Sequence, residues 1–444
     1  MTAKEWAYPI PEHRRHVYAY YKLTFAPDGC PMKRGDTKDV FHPILPAYLI
    51  KDYVRWKASS RSDEYIELAR KVARLALARG ERRGDALVFV YEPASGLSSV
   101  PVQFYSALTQ AWYIDALCAL SRYVNGEFDD EIRSIFRSLL IPMEEGGCLL
   151  RKSWGWVVEE YPHDPPLYTL NGWLTVICML LDAREYLTKI GLDIEEFLRE
   201  NLNAVEHLLP LYDAEFCANS RYQLTGFTRL RLLFDKPVSH SLSSFEVTIP
   251  GEGTYPGALA KADSRWKPYV ERSEPRLLQM NVVQSLVCYP EENVFRAILK
   301  VDLDCKAKLM AAVGEWRHDM SAMPTDRWRE VASFFLKPGE HTLEVPITWD
   351  DQNVFAYPTN FKKRVNGVLF NAYHFIHIQD LAQLYAHTGK EVFKEWAERW
   401  MGYPPRWPTL AATQSKGLSF QALKGDETLN LIAKLLRPSL DLAE

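Results

Sequence analysis

The hydrophobic period of this chain changes twice along its length, and this change constrains the fold more than any other feature. From Ser62 to about position 234, apolar residues recur at helical spacing. Between Asp235 and Arg364 the period falls to two and turn residues multiply, which predicts short strands. From Gly367 the helical period returns. The sequence therefore predicts a strand-rich block between two helical regions.

The helical regions are expected to form a single unit around the strand-rich block. Predicted helices cover 62–76, 102–123, 129–140, 167–187, 194–208, 368–388 and 390–401, with a short one near 426–436. Their arrangement in pairs predicts a mainly α protein, an α/α barrel (toroid) with an inserted β-sandwich. The expected domains are 1–234 and 366–444, which together build the barrel, and 235–365, the insert. Insertion at a loop tip keeps the two barrel parts close together.

Composition narrows the class of partner and the compartment. The net charge of -4 argues against nucleic-acid binding, and no apolar run has the length of a membrane segment. The seven cysteines include no C-x-x-C pair, which gives no zinc signature and favours a reducing compartment. Because residues 1–6 lack the apolar region of a signal peptide, we expect a cytoplasmic protein.

Three motifs carry the chemistry. The first is Glu159-Glu160-Tyr161-Pro162 followed by Leu170-Asn171-Gly172; the second is Leu209-Pro210-Leu211-Tyr212-Asp213 followed by Tyr222; the third runs from Tyr373-His374 through His377 to Leu381. In this order they resemble the D-glucuronyl C5-epimerase family. The resemblance implies an α/α-barrel enzyme that inverts C5 of glucuronate units in a uronate-containing polysaccharide. It implies no metal and no other cofactor.

The resemblance also assigns catalytic residues. Glu160 and Tyr161 match the adjacent catalytic glutamate and tyrosine of the family, and Tyr222 and Tyr373 match two further active-site tyrosines. Inversion at C5 needs one group to remove a proton and another to return one from the opposite face. A glutamate is a ready base, whereas a tyrosine, with an ordinary pKa near ~10, is better suited to be the acid. The alternative for Glu160 is a solvated loop carboxylate.

Eight further residues are candidates for substrate binding: Tyr105, Gln110, Lys152, Trp156, Asn171, Arg221, His374 and His377. Tyr105 and Gln110 are expected on a helix that lines the barrel. Lys152, with Arg151, is expected to hold a uronate carboxylate, or to be a surface basic pair.

The remaining candidates flank the motifs. Trp156 or Trp154 is expected to stack on a sugar ring, and Arg221 to lower the pKa of Tyr222. His374 and His377 share a helix face; His377 is expected to brace the tyrosines and His374 to face the substrate. The alternatives are a buried structural pair or a metal pair, and the latter lacks a third ligand at useful spacing.

The chain departs from the family pattern at several points. The family arginine three residues after Tyr222 is Thr225 here, and its Trp-Asp before the second tyrosine is Asn371-Ala372. The strand-rich block separates Tyr222 from Tyr373, which lie close in the family sequence. A polysaccharide lyase, which begins with the same C5 proton loss, and a non-catalytic carbohydrate-binding homologue remain alternatives. A homodimer is left open.

Overall fold

The computed structural model describes most of the chain between positions 8 and 406. Its description covers this span apart from positions 11, 36, 93–102, 161, 216–217, 258–271, 287–291, 314–315, 318–326, 348–354, 358–362, 366–367 and 371. Tyr161 and the predicted helix near 426–436 therefore lie outside the described residues.

The helices follow the apolar pattern closely. They are α1 (Arg15–Tyr20), α2 (Ile44–Ser60), α3 (Glu64–Leu77), α4 (Ala107–Ser121), α5 (Asp129–Ser138), α6 (Leu170–Lys189), α7 (Glu195–Tyr212), α8 (Ala372–Thr388) and α9 (Glu391–Met401). Most residues of α4 and α6 are buried, because these helices are apolar on nearly all sides. By contrast, α3, α5 and α9 each bury a single face.

The packing of the helices corrects the predicted fold class. α2, α4, α6 and α8 lie side by side in that order, and α3, α5 and α9 pack on the outer sides of α2, α4 and α8. Within the described residues this row does not close into a barrel, and the protein is not mainly α: helices make up about 42% and strands about 31%. The helix-pair pattern correctly predicts neighbours, but closure depends on contacts between distant parts of the row, which a local period does not encode.

Short strands connect the helices in the first half of the chain. They are β1 (Leu23–Phe25), β2 (Pro31–Arg34), β3 (Asp39–Val40), β4 (Glu81–Arg83), β5 (Ala86–Val88), β6 (Val90–Tyr91), β7 (Phe104–Tyr105), β8 (Leu149–Lys152), β9 (Gly155–Val158), β10 (Asp213–Ala214) and β11 (Asn219–Ser220). Except for the three-stranded sheet β1-β2-β3, they pair as two-stranded antiparallel ribbons. Two of these ribbons, β8-β9 and β10-β11, carry the first two motifs to the site.

The central block forms two larger antiparallel sheets. Its strands are β12 (Gly226–Phe234), β13 (His240–Ile249), β14 (Gly253–Pro256), β15 (Arg272–Glu274), β16 (Leu277–Gln284), β17 (Asn293–Val301), β18 (Cys305–Val313), β19 (Trp316–Arg317), β20 (Arg327–Leu336), β21 (Gly339–Ile347), β22 (Phe355–Tyr357), β23 (Lys363–Val365) and β24 (Val368–Phe370). The order is β15-β16-β12-β18-β20 in one sheet and β14-β13-β17-β21 in the other. A separate hydrophobic core contains residues of both sheets. The alternating apolar pattern predicted a strand-rich block because one face of each sheet is buried. β12 and β24 lie outside its predicted bounds, and β24 occupies the start of the helix predicted at 368–388.

The helix that follows the sheets in the sequence, α8, packs against α6, which precedes them. Thr175 on α6 donates a hydrogen bond to the Asp380 carboxylate on α8 at 2.9 Å, and the Cys178 thiol lies 3.5 Å from the Asp380 carbonyl oxygen. The predicted contact between these two regions is therefore present without a barrel. The division into domains at 235 and 365 stays a prediction. No helix in the described part of the chain could span a membrane.

Candidate active site

The N-terminal ends of three helices converge on the first two motifs. The Ala107 N–H at the start of α4 donates to the Glu159 carbonyl at 3.3 Å, and the Leu170 N–H at the start of α6 donates to the Tyr222 carbonyl at 2.9 Å. Tyr373 is the second residue of α8. The fold thus joins residues that are more than 200 positions apart in the sequence. Helix N-termini also carry partial positive charge, which suits an anionic substrate.

Glu160 lies at the centre of this region. It follows β9 and is only 8% exposed. Gly172, in the first turn of α6, leaves room for it: a Cβ at this glycine would lie 2.6 Å from Glu160 Oε2 and 2.8 Å from Glu160 Cβ. Burial and, after it, the negative charge of Glu160 among other groups raise the pKa values of Tyr21, Tyr48, Tyr91 and Tyr373. Four tyrosines therefore lie within electrostatic range of this one carboxylate.

Its neighbour Glu159 has a different role. This carboxylate is fully buried and accepts a hydrogen bond from the Tyr168 N–H at 2.7 Å. Burial raises its pKa to about 7, although backbone N–H groups oppose this change. Because successive side chains of an extended segment point in opposite directions, Glu159 holds the loop before α6 while Glu160 turns toward the tyrosines.

Tyr222 and Tyr373 lie against each other at the site. Their ring centroids are 4.7 Å apart, at 63° to each other, and their side chains share a hydrogen bond. Burial, followed by the charge of Glu160, raises the pKa of Tyr373 to about 12. Tyr373 consequently keeps its proton at neutral pH. The structure thus brings together the described members of the predicted catalytic set, namely Glu160, Tyr222 and Tyr373, while the prediction for Tyr161 stays open.

A buried polar cluster supports the two tyrosines. The Ser220 hydroxyl lies 2.8 Å from His374 Nδ1 and 2.7 Å from His377 Nδ1, and His374 Nε2 lies 2.9 Å from the Trp400 carbonyl oxygen. All three side chains are buried, and burial lowers the pKa of His374 to about 4, so both rings are neutral. The described contacts of His377 are with Ser220 and Trp400, so its bracing of the tyrosines stays a prediction. Both nitrogens of His374 are bonded inside the protein, and these bonds give no support to its predicted contact with substrate.

The structure gives Tyr105 and Gln110 places in the core. The Tyr105 hydroxyl donates to the Ser138 carbonyl at 2.7 Å. The Gln110 amide accepts from the Phe89 N–H at 3.0 Å and donates to the Leu87 carbonyl at 2.8 Å. Both side chains are fully buried. Gln110 therefore joins α4 to β5, whereas Tyr105 lies on β7 rather than on a helix and joins that strand to α5. Neither lines a barrel, which is not formed in the described residues.

Lys152 and the tryptophans beside it contact other elements. Lys152 Nζ forms an ion pair with Glu252 at 3.1 Å, and Trp154 Nε1 donates to the same carboxylate at 2.7 Å. Trp156 lies under the Arg151 guanidinium, 5.0 Å from its ring centroid, and against Phe197 on α7. These contacts leave the predicted carboxylate clamp and sugar platform without support, since the ribbon β8-β9 lies against α7 and the strand-rich block.

Arg221 and Asn171 differ in their relation to the site. The Arg221 side chain is fully buried, and its Nε donates to the Leu211 carbonyl at 2.9 Å. This hydrogen bond joins Arg221 to the last turn of α7, and the predicted effect of Arg221 on the pKa of Tyr222 stays a prediction. Asn171 lies next to Gly172, and its buried Oδ1 has no hydrogen-bond partner among the described residues. It remains a candidate for substrate contact.

Sequence reasoning missed the wall opposite Tyr222 and Tyr373. Tyr21 precedes β1, Tyr48 lies on α2, and Tyr91 ends β6. His42 lies edge-on to Tyr21 and to Tyr91, with ring centroids 5.7 and 5.6 Å apart. For Tyr21 and Tyr48 the only sequence signal was the aromatic richness of the first 60 residues, which carried no spacing that would link them to Glu160. No sequence signal marked Tyr91.

The two histidines of the third motif do not form a metal site with a third ligand in the region that the structure describes. Among the described residues, no three histidine, cysteine, aspartate or glutamate side chains lie together in a way that suits a metal ion. The metal-pair alternative for His374 and His377 is therefore not supported by their surroundings.

Comparison with known proteins agrees with the first two motifs. No curated protein shows a significant match to the chain. One family model, described as D-glucuronyl C5-epimerase C-terminus, matches residues 86–233, a third of the sequence. The match includes Glu160 and Tyr222 but ends before most of the sheets and before Tyr373. The match supports the family that the motifs predicted: residues 86–233 are similar to the C-terminal region of the D-glucuronyl C5-epimerases.

Proposed function

We propose that this protein inverts C5 of D-glucuronate units in a polysaccharide, which gives L-iduronate. One arrangement carries the proposal: Gly172 in the first turn of α6 leaves the space that Glu160 occupies, the Leu170 N–H of the same turn donates to the Tyr222 carbonyl, and the Tyr222 ring lies 4.7 Å from that of Tyr373. A carboxylate and two tyrosines therefore lie near the start of one helix. A base and an acid of this kind are what a two-sided proton transfer requires. The family match over residues 86–233 supports the same reaction class.

In the proposed reaction Glu160 is the base. It removes the C5 proton of glucuronate, and the electron pair of the broken C–H bond moves onto the sugar carboxylate as an enediolate. Tyr373 then gives its proton to C5 from the opposite face, assisted by its hydrogen bond to Tyr222. The resulting tyrosinate and glutamic acid return to their starting states by proton exchange with water. Because the reaction is redox-neutral, atoms and charge balance without an oxidant.

Incubation with heparosan, N-sulfated heparosan and chondroitin in deuterated water tests the proposal. NMR of the uronate is expected to show deuterium at C5 together with iduronate. An unsaturated product that absorbs in the ultraviolet would instead identify a lyase. Failure to incorporate deuterium into any of the three polymers would contradict both enzymes and favour a non-catalytic carbohydrate-binding protein.

A further inference from the structure

The five-stranded sheet β15-β16-β12-β18-β20 buries one face and leaves part of the other exposed. Along β12, Leu230 and Leu232 are fully buried in the core that the two larger sheets share. Arg229 and Arg231 alternate with these leucines and are partly exposed. Because side chains alternate between the two faces of a sheet, both arginines lie on its outer face.

A tryptophan on β20 contacts both arginines across an intervening strand. The guanidinium carbon of Arg231 lies 4.0 Å from the centroid of the Trp328 ring, and that of Arg229 lies 5.6 Å from it. The strand between them is β18, and its residue beside Trp328 is Ala312, whose small side chain lets the ring extend over it. Such contacts hold a guanidinium by its face, whereas carboxylates and sulfates bind at its edge. Two positive groups are thus positioned together on one outer face.

The outer faces of the two larger sheets differ in charge. Residues paired across strands share a face, so the register gives the composition of each face. The outer side of β14-β13-β17-β21 carries three glutamates and two cations: Glu246, Glu340, Glu344, Arg296 and Lys300. Among the described side chains, the strands of the other sheet carry four cations and two glutamates on their outer side: Arg229, Arg231, Lys306, Lys308, Glu274 and Glu330. The face with the tryptophan is therefore the one that suits an anionic partner.

This sheet is joined directly to the candidate active site. β12 begins at Gly226, four residues after Tyr222. Ser285, just after β16, donates its hydroxyl to the Pro166 carbonyl at 2.5 Å, which fixes the same end of the sheet to the loop before α6. Since an extended chain covers no more than ~3.6 Å per residue, Arg231 lies within about 32 Å of Tyr222. A polymer that occupies the site can therefore reach the outer face of the sheet.

We propose that Arg229, Arg231 and Trp328, which we call the arginine face, bind a second segment of the acidic polysaccharide outside the unit that reacts. The planar guanidinium groups pair with carboxylates of the polymer, and Trp328 holds those groups in position. Two contacts on one chain strengthen its binding because the second contact is made within the same complex. This inference rests on the proposed function for the identity of the polymer, since the site and the arginine face take the same chain.

The test compares two lengths of the same polymer. Titration calorimetry is carried out with long heparosan chains and with a heparosan tetrasaccharide, and the wild-type protein is expected to bind the long chains more tightly. Arg231→Met should weaken the binding of long chains by about 10-fold, and Arg229→Met with Arg231→Met by more, as expected for loss of charged hydrogen bonds. In C5 exchange, KM for long chains should rise while kcat stays unchanged, because neither arginine is a reacting group.

Further variants separate recognition from general charge and from folding. Arg296→Met is the matched control, because it removes an equal charge at a 52% exposed position on the outer face of the other sheet. Arg231→Lys keeps the charge but not the planar fork, so it should restore only part of the lost affinity. Trp328→Leu should weaken binding as the arginine variants do, with folding checked by thermal unfolding. If Trp328→Leu fails to fold, Arg231→Met still decides, because the Arg231 side chain is partly exposed.

The outcomes for the two proposals are distinct. Wild-type affinity for long chains in the folded double arginine variant overturns the arginine face, even when C5 exchange supports the epimerase. Equal losses in Arg231→Met and Arg296→Met overturn it as well, since general charge would then account for binding. A wild-type protein that binds heparosan through the arginine face yet exchanges no C5 proton supports the face and overturns the epimerase. A wild-type protein that binds none of heparosan, N-sulfated heparosan and chondroitin overturns the arginine face directly.

Discussion

At the scale of single residues, the site depends on the different surroundings of two adjacent glutamates. Glu159 is held by the backbone before α6, whereas Glu160 lies within electrostatic range of tyrosines from both ends of the chain. The sequence motif alone could not tell which of the two faces the substrate. That distinction comes from the direction of each side chain along an extended segment, which the motif does not record.

The hydroxyl of Tyr373 is expected to be needed for inversion but not for folding. Tyr373→Phe should lower the rate of iduronate formation by ~10²–10⁴-fold, as expected for loss of a general acid. Tyr385→Phe on the exposed side of the same helix, where the hydroxyl contacts Glu391, is the matched control. Rates come from NMR of the product, and folding from circular dichroism. A folded Tyr373→Phe protein that inverts C5 at the wild-type rate would remove Tyr373 from the mechanism.

Gly172 is expected to be required for the position of Glu160. In a helix, alanine is usually more favourable than glycine by about 1 kcal/mol, so Gly172→Ala should be stabilising on propensity alone. The added Cβ, however, would lie 2.6 Å from Glu160 Oε2 and must displace that side chain. We expect activity to fall by ~10²-fold, the order associated with a misplaced reacting group.

The control for Gly172→Ala is Glu185→Ala, at an exposed position of the same helix. Both variants are compared by C5 exchange and by thermal unfolding. An active and more stable Gly172→Ala protein would mean that Glu160 tolerates displacement, and that its position is not critical for proton removal.

At the scale of elements, the contact between α6 and α8 is expected to depend on pH through Asp380. Burial raises the pKa of this carboxyl to about 7, although the hydrogen bond from Thr175 opposes this change. A raised pKa in the folded state means that the folded protein binds the proton more tightly than the unfolded chain. The stabilisation is full below the unfolded pKa near ~4 and is lost as pH rises through about 7.

Asp380→Asn removes this dependence, because an amide does not ionise yet still accepts the Thr175 hydrogen bond. Relative to wild type, the variant should gain roughly 2 kcal/mol of stability between about pH 5 and about pH 8. Urea unfolding across that range provides the measurement. Asp182→Asn, at an exposed carboxylate of α6 paired with His387, should change little. Parallel pH curves for wild type and Asp380→Asn would show that Asp380 stays ionised.

Much of the secondary structure could be predicted from the sequence, whereas its assembly could not. The predicted α5, α7 and α9 differ from the observed helices by only a few residues, because amphipathic spacing reports which face is buried. α2 was missed as a helix, since its apolar run lacks a clear period. The prediction of a barrel was wrong because neighbouring helices pack in pairs in the same way whether or not the row of helices closes.

The same limit applies to the site. Glu160, Tyr222 and Tyr373 lie in motifs and could be proposed from them. Tyr48 and Tyr91 reach the site only through folding of distant segments, and no local pattern marks them. Lys152 and Arg221 were expected to bind substrate because cations near a motif usually attract that assignment. Their partners come from other elements: Glu252 lies in the strand-rich block, between β13 and β14, and the Leu211 carbonyl lies at the end of α7.

At the scale of the whole molecule, one buried ion pair joins the helical region to the sheets. The Glu252 side chain, which is 5% exposed, forms an ion pair with Lys152 and accepts a hydrogen bond from the Trp154 indole N–H. Glu252→Ala should lower the free energy of unfolding by roughly 2–3 kcal/mol, somewhat less than a fully buried pair because Lys152 is 20% exposed. Glu195→Ala, which breaks a half-exposed pair with Arg184, should cost less than about 1 kcal/mol. Equal losses in urea unfolding would contradict a structural role for the Glu252 link.

The distance along the chain between Tyr222 and Tyr373 has a consequence for synthesis on the ribosome. At a translation rate of ~5–20 residues per second, the nascent chain carries Glu160 and Tyr222 for on the order of ten seconds before Tyr373 has been made. During that interval the Ser220 hydroxyl lacks both histidines of α8, and Glu160 lacks its proposed acid. The proposed site is thus completed in a single late event, when α8 docks on α6, rather than gradually as the chain emerges.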